Sequence, residues 1–359
     1  MSQIRENQTP NTRVVIYDWV RLLATIWVVI GHSSYLDDAQ TYGSVSFALP
    51  ELLSPSYNDL PLRLVRFLSG WVYTFHMPLF FLLSGAVLAL SPKLPSFDIF
   101  VRKKAKRLLL PYLLWGYLYM LPVKYLIGYY TKETFAKALA GFFVGEDAGH
   151  LWFLPALFWS LLIYAAIRKV LAHFSVKSEL LPLVICMLLS FSYELCPIRF
   201  FCFQTGLDYL VWVALGNFLE ILRKKAKPLA LWKLLALLAA MLLLEVLHKK
   251  YLILHYLAAI LVGCALSYLL ARLCETAFGR VTNTGFWRLL CRNLFAVYLI
   301  HDPLEFVILK LFWHFGWMQQ GIGVYAYTVL RTVGVFAVCV LAGELVRIVC
   351  NRFGKTAVL

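Results

Sequence analysis

Apolar residues along this chain fall into blocks about 20 long, separated by short polar or basic stretches. At 1.5 Å per residue such a block matches the roughly 30 Å hydrocarbon core of a bilayer. The pattern predicts ten spans, at 15–35, 65–90, 108–130, 151–171, 180–195, 207–222, 230–247, 251–273, 290–313 and 324–349. The expected fold is therefore an all-α integral membrane protein of about ten transmembrane helices. Residues 15–350 form its membrane domain, between tails at 1–14 and 351–359.

Composition closes off the soluble reading. Of 359 residues 61% are hydrophobic and 15% charged, against about a quarter charged in soluble domains. The first block begins near Val14 and ends at Gly31-His32-Ser33 without an A-x-A-like cleavage site, so it reads as a retained helix. The net charge of +15 is spread as short basic clusters between blocks, with no nucleic-acid-binding motif, which sets nucleic acid aside. The clusters at 102–107, 168–169, 223–227 and 272–292 alternate with loops carrying Asp37, Asp38, Glu51, Asp59, Glu146 and Asp147. By the positive-inside rule both termini are expected in the cytoplasm, in a cytoplasmic (inner) cell membrane. Eight cysteines show no CxxC pair and no metal spacing, so no metal is expected. Cys196 and Cys202 flank one short loop and could pair in an oxidising compartment.

Against this background each ionisable group within a span costs about 2.5–3.5 kcal/mol on insertion scales, and invites a functional reading. Arg21 and His32 lie 11 residues apart in the first span, about 16.5 Å along the axis and on one helical face. The inert reading is an arginine snorkelling to headgroups and a histidine bonded to a carbonyl. His76 precedes Met77-Pro78 in the second span, and could line a polar cavity or join two helices. Lys104 and Arg107 are i, i+3 neighbours that could clamp a phosphate or simply anchor the helix. His150 and Trp152 open the fourth span, where an interfacial Trp is ordinary. His301, Asp302 and Glu305 put three ionisable groups into five residues of the ninth.

Together these pieces resemble the acyltransferase 3 family of integral membrane acyltransferases, from about Tyr17 to the end of the tenth span. The resemblance is carried by Asp18-x-x-Arg21, the Arg21-x10-His32 spacing and Pro78-Leu79-Phe80-Phe81-x-x-Ser84-Gly85. It continues in the basic residues before Leu108-x-x-Pro111, in Leu151-Trp152-Phe153-Leu154 and in Tyr298-Leu299-Ile300-His301. The form His76-Met77-Pro78-Leu79-Phe80-Phe81 is similar to exopolysaccharide and fucose O-acetylases. The family usually has Arg-x-x-Arg where this chain has Lys104-x-x-Arg107, and lysine lacks the fork geometry of arginine. This chain is also read as lacking the SGNH-type domain that some members carry, so transfer is expected to finish within the membrane domain.

The resemblance implies an acyl-CoA donor, usually acetyl-CoA, and a sugar or polysaccharide hydroxyl as acceptor, with membrane lipid around the protein. The expected roles are His32 and His301 as catalytic residues and Arg21, Lys104 and Arg107 as ligands of the donor's phosphates. His76, His150, Trp152 and Asp302 are expected to hold the acceptor. A neutral imidazole suits the removal of a hydroxyl proton, whether the acyl group moves directly or through an acyl-histidine. A flippase for a lipid-linked sugar, or a non-catalytic acyl-CoA-binding member, would share the buried charges. Oligomeric state is open at this level.

Overall fold

A backbone crossing hydrocarbon must satisfy its own N–H and C=O groups, and this chain does so with helices. The computed structural model describes residues 14–32, 41–42, 45–46, 60–91, 94–225, 239, 252–317 and 321–352. The chain starts with α1 (Val15–His32) and α2 (Leu60–Ala89), continuing to α3 (Phe97–Lys104), α4 (Leu110–Trp115) and α5 (Leu121–Leu126). Next come α6 (Lys132–Val144), α7 (Phe153–His173), α8 (Leu180–Phe191), α9 (Phe203–Asp208) and α10 (Leu210–Lys225). The C-terminal half holds α11 (Leu252–Phe278), α12 (Gly285–His314), α13 (Gly321–Val329) and α14 (Val335–Arg352). The only described strands form one two-residue ladder, Thr41–Tyr42 antiparallel to Val45–Ser46.

The outside of the bundle is apolar: Phe67 is 71% exposed, and Leu126 and Ile322 are each 79% exposed. Its inside holds fully buried His301, Asp302, Glu305 and Arg331. This inversion of the soluble pattern suits a lipid-facing surface. Among the described residues five stretches are long and apolar enough to cross a membrane: Val15–His32, Arg63–Ala89, Lys132–His173, Leu257–Asn283 and Tyr325–Arg352. Phe200–Asp208 and Leu210–Lys225, bent by 51°, make a sixth if they count as one span. Among the described residues the protein is thus all-helical apart from the ladder, and it is multi-pass.

The sequence pattern had divided the chain into ten spans, and the difference has local causes. α8 is 12 residues long. Residues 97–126 form a run of short helices with π turns at Ala105–Leu109 and Gly116–Met120. Each π turn contains the carbonyl that Pro111 or Pro122 cannot bond, because proline has no N–H to donate four residues back. α12 is long enough at 30 residues but carries Arg288, Arg292, Asp302, Glu305 and Lys310. The expected span at 230–247 lies outside the described residues except for residue 239, as do most of the two tails.

Helix packing uses small residues where backbones approach closely. Gly85 of α2 faces the backbone of Val213, and Gly216 of α10 faces that of Leu82, so any side chain at either site would meet main chain. Asn217 donates to the Gly85 carbonyl at 3.2 Å and accepts from the Tyr164 hydroxyl at 2.6 Å, fixing the α2–α10–α7 contact. On the other side α1 packs on α2, α11 and α12, with Trp19 and Trp287 rings 4.1 Å apart. Cys196 and Cys202 are both free.

Candidate active site

α1 ends at His32, and α2, α5, the turn Gly149–Trp152 and α12 converge on it. The centre of this arrangement is Asp302, which is fully buried. His32 Nδ1 lies 3.5 Å from Asp302 Oδ1, while Lys124 Nζ and His150 Nδ1 lie 3.0 Å and 3.3 Å from Oδ2. One carboxylate therefore faces three partners from three other segments.

Hydrogen-bond roles follow from the carbonyls, which only accept. His301 Nδ1 is 2.8 Å from the Tyr298 carbonyl and 3.1 Å from that of Val297, so Nδ1 carries the hydrogen and Nε2 the lone pair. His301 Nε2 is buried with no hydrogen-bond partner among the described residues. His76 Nδ1 likewise donates to the Val72 carbonyl at 3.0 Å, leaving Nε2 as an acceptor. His150 Nε2 donates to the Leu299 carbonyl at 3.2 Å, and the Tyr298 hydroxyl donates to the His150 carbonyl at 2.7 Å. For His32, the carboxylate at Nδ1 favours hydrogen there and makes Nε2 the basic nitrogen. The ring centroids of His301 and His76 lie 4.9 Å and 6.1 Å from that of His32.

His32, His76 and His150 border a cavity of about 210 Å3 whose other walls include Tyr73, Met77, Trp152, Tyr209 and Tyr298. His32 is 13% exposed at its side chain, so it is reachable from that space. Trp152 lies against Tyr209, with centroids 5.3 Å apart. A larger hollow of about 710 Å3 on the outside of α13 is lined by apolar residues such as Ile322 and Val329, and lies away from these groups.

The backbone of His32 is held as well as its ring. The last carbonyls of a helix have no intrahelical donor, and Arg331 donates to that of His32 from the π turn Leu330–Gly334. Arg331 Nε lies 3.8 Å from Glu305 Oε2, and its guanidinium stands 5.3 Å from the Tyr327 ring centroid. Glu305 is one turn beyond Asp302, so α12 addresses both the ring and the main chain of His32.

The structure brings His32, His76, His150, Trp152, His301 and Asp302 together. Although His301 is its neighbour in the chain, the Asp302 carboxylate has its contacts with His32, His150 and Lys124. Arg21, Lys104 and Arg107 stand apart from this group. Arg21 is 41% exposed at its side chain and pairs with Asp18 at 3.7 Å. Lys104 lies half-buried with its ammonium 5.4 Å from the Phe100 ring, and Arg107 is exposed. Among the described residues no hydrogen bond or ion pair joins Arg21 to Lys104 or Arg107.

Sequence reasoning passed over Lys124, Arg331, Tyr73 and Tyr209. Lys124 and Arg331 did carry a signal, since Lys124 is the one cation of its predicted span and Arg331 lies well inside its own, so both fall under the rule that singled out His301 and Asp302. The two tyrosines carried none.

An apolar exterior around a buried charge cluster and a small cavity defines a multi-pass membrane protein with an internal polar chamber. The acyltransferase 3 family, described as an acyltransferase domain, matches residues 14–344, and the chain belongs to it. It is therefore a membrane acyltransferase. No curated protein and no solved structure matches the chain.

Proposed function

We propose that the protein is an O-acyltransferase that moves an acetyl group from acetyl-CoA, or another acyl group from its CoA ester, to a hydroxyl of a cell-surface or lipid-linked sugar. The observation that carries this reading is His32, with Nδ1 on Asp302 and its ring at the wall of the cavity. His32 Nε2 takes the hydroxyl proton as the acceptor oxygen attacks the thioester carbonyl. The tetrahedral intermediate expels the CoA thiolate, which recovers the proton from His32, so atoms and charge balance. Asp302 offsets the transient imidazolium. His76 Nε2 can accept a hydrogen bond from the incoming hydroxyl, His150 and Trp152 flank it, and His301 supports the His32 ring.

In this reading the chain has ten spans with both termini in the cytoplasm, in the inner membrane. Arg21, Lys104 and Arg107 attract the donor's phosphates at the inner side. α1 carries Arg21 and His32 about 16.5 Å apart, a reach that suits an extended carrier with its thioester far from its phosphates. Comparing surface glycans by mass spectrometry in cells with and without the gene tests the reaction. The expected result is an acetyl mass that disappears with the gene, and glycans unchanged in every acyl group would refute it.

Donor binding should depend on pH through Lys104. Burial, with Arg107 beside it, pulls its ammonium from the usual lysine range down to about 8. The charged form binds phosphate, so its contribution is present below that value and fades as pH rises through it. Acetyl-CoA affinity measured by calorimetry should weaken across this window in the parent protein. Lys104→Arg should flatten the dependence, because a guanidinium stays charged. A parent affinity constant across the window would remove Lys104 from the donor site.

A further inference from the structure

A base that works by accepting a proton must begin neutral, and the surroundings of His32 pose a problem for that. An uncompensated carboxylate within about 4–6 Å favours a charged imidazole, and more so away from water. Without a counter-charge Asp302 would be such a carboxylate, fully buried and 3.5 Å from His32 Nδ1. Lys124, also buried, answers it with an ammonium 3.0 Å from Asp302 Oδ2.

We propose that Lys124 is a positioning residue for the His32–Asp302 pair, cancelling the carboxylate's charge and occupying its second oxygen so that Asp302 orients His32 without keeping it protonated. This rests on the reading of His32 as the base.

The charges around the site support it by their arithmetic. Asp302 has Lys124, and Glu305, one turn further on α12, has Arg331. With these two pairs neutral overall, the charges of Asp302, Glu305, Lys124 and Arg331 beside His32, His76, His150 and His301 sum to zero. His150 touches the same oxygen as Lys124, so Oδ1 is the side left to His32. The rings of Tyr129 and Phe306 face the Lys124 ammonium, with centroids 5.0 Å and 5.5 Å from Nζ. The Tyr119 hydroxyl donates to the Ile300 carbonyl at 2.9 Å. A purely structural ion pair would also explain the burial of Lys124, but it has no bearing on when His32 gains a proton.

Carbethoxylation of His32 by diethyl pyrocarbonate separates the two, since the reagent attacks only neutral imidazole and His32 borders the cavity. The full-length protein in lipid nanodiscs is treated between about pH 5 and pH 9, and the His32 peptide is quantified by mass spectrometry. Lys124→Met should raise the pH of half-modification by about one unit or more, and Asp302→Asn should lower it by a similar amount. Lys124→Arg should stay near the parent. The double variant Lys124→Met/Asp302→Asn, which leaves neither charge unpaired, should also return to the parent value. A folded Lys124→Met with an unmoved curve overturns the proposal. Should Lys124→Met fail to fold, a double variant that differs from the parent by a unit or more overturns it instead. The measurement needs neither donor nor acceptor, so it stands or falls separately from acyl transfer. A parent protein that transfers no acetyl group would refute only the proposed reaction.

Discussion

His32→Ala should lower acetyl transfer by about 10²–10⁴-fold, the usual worth of a positioned acid or base. The loss should appear in kcat, because the imidazole acts in the transition state while the donor's phosphates are held elsewhere. Acetyl-CoA affinity should therefore stay within a few-fold of the parent. Removing the ring also removes its contacts with Asp302 and His301. The backbone clamp from Arg331 survives, since it uses the carbonyl of residue 32. A histidine that merely ties helices together predicts the reverse, with reduced folded yield and unchanged turnover per folded molecule. Measuring acetylation per folded protein, after size exclusion and a thermal melt, distinguishes the two. Near-normal turnover in well-folded His32→Ala would end the assignment of His32 as base.

Asp302→Asn should be nearly as costly, and in two measurable ways. Its amide can donate to His32 Nδ1, which selects the tautomer with hydrogen on Nε2 and disables the base. A fall in kcat of about 10²-fold or more is expected, with little change in donor affinity. The substitution also strands the buried ammonium of Lys124, and breaking one partner of a buried pair costs about 3–5 kcal/mol. The melting temperature should drop accordingly. Lys124→Met added to Asp302→Asn should recover much of the stability, because no lone charge remains, but it should not recover the rate. Equal recovery of both would reduce Asp302 to a structural partner of Lys124.

The chain's class was legible in residue order. Blocks about 20 long and a 15% share of charge leave few ways to fold other than as membrane helices. His32, His76, His150, His301 and Asp302 were also visible singly, because an ionisable group in an apolar block costs free energy wherever it ends up. At α12 and along 97–126 length and hydropathy do not mark a span. There the charges of the site and the prolines that bend the backbone blur a test built on length and hydropathy.

Which of these groups meet was not written in any local pattern. Asp302 stands next to His301 in the sequence, yet its oxygens go to His32, Lys124 and His150, the nearest of which is 152 residues away. Arg331 reaches the His32 carbonyl across 299 residues. The reason is physical. Hydropathy and helical rise act within one segment and decide whether it can enter a bilayer. The sideways arrangement of segments depends on close backbone approach, as at Gly85 and Gly216, and on a few polar pairings. Lipid offers no hydrophobic drive to order apolar helices among themselves, so the buried charges that mark the candidate site acquire their partners only when the bundle is complete.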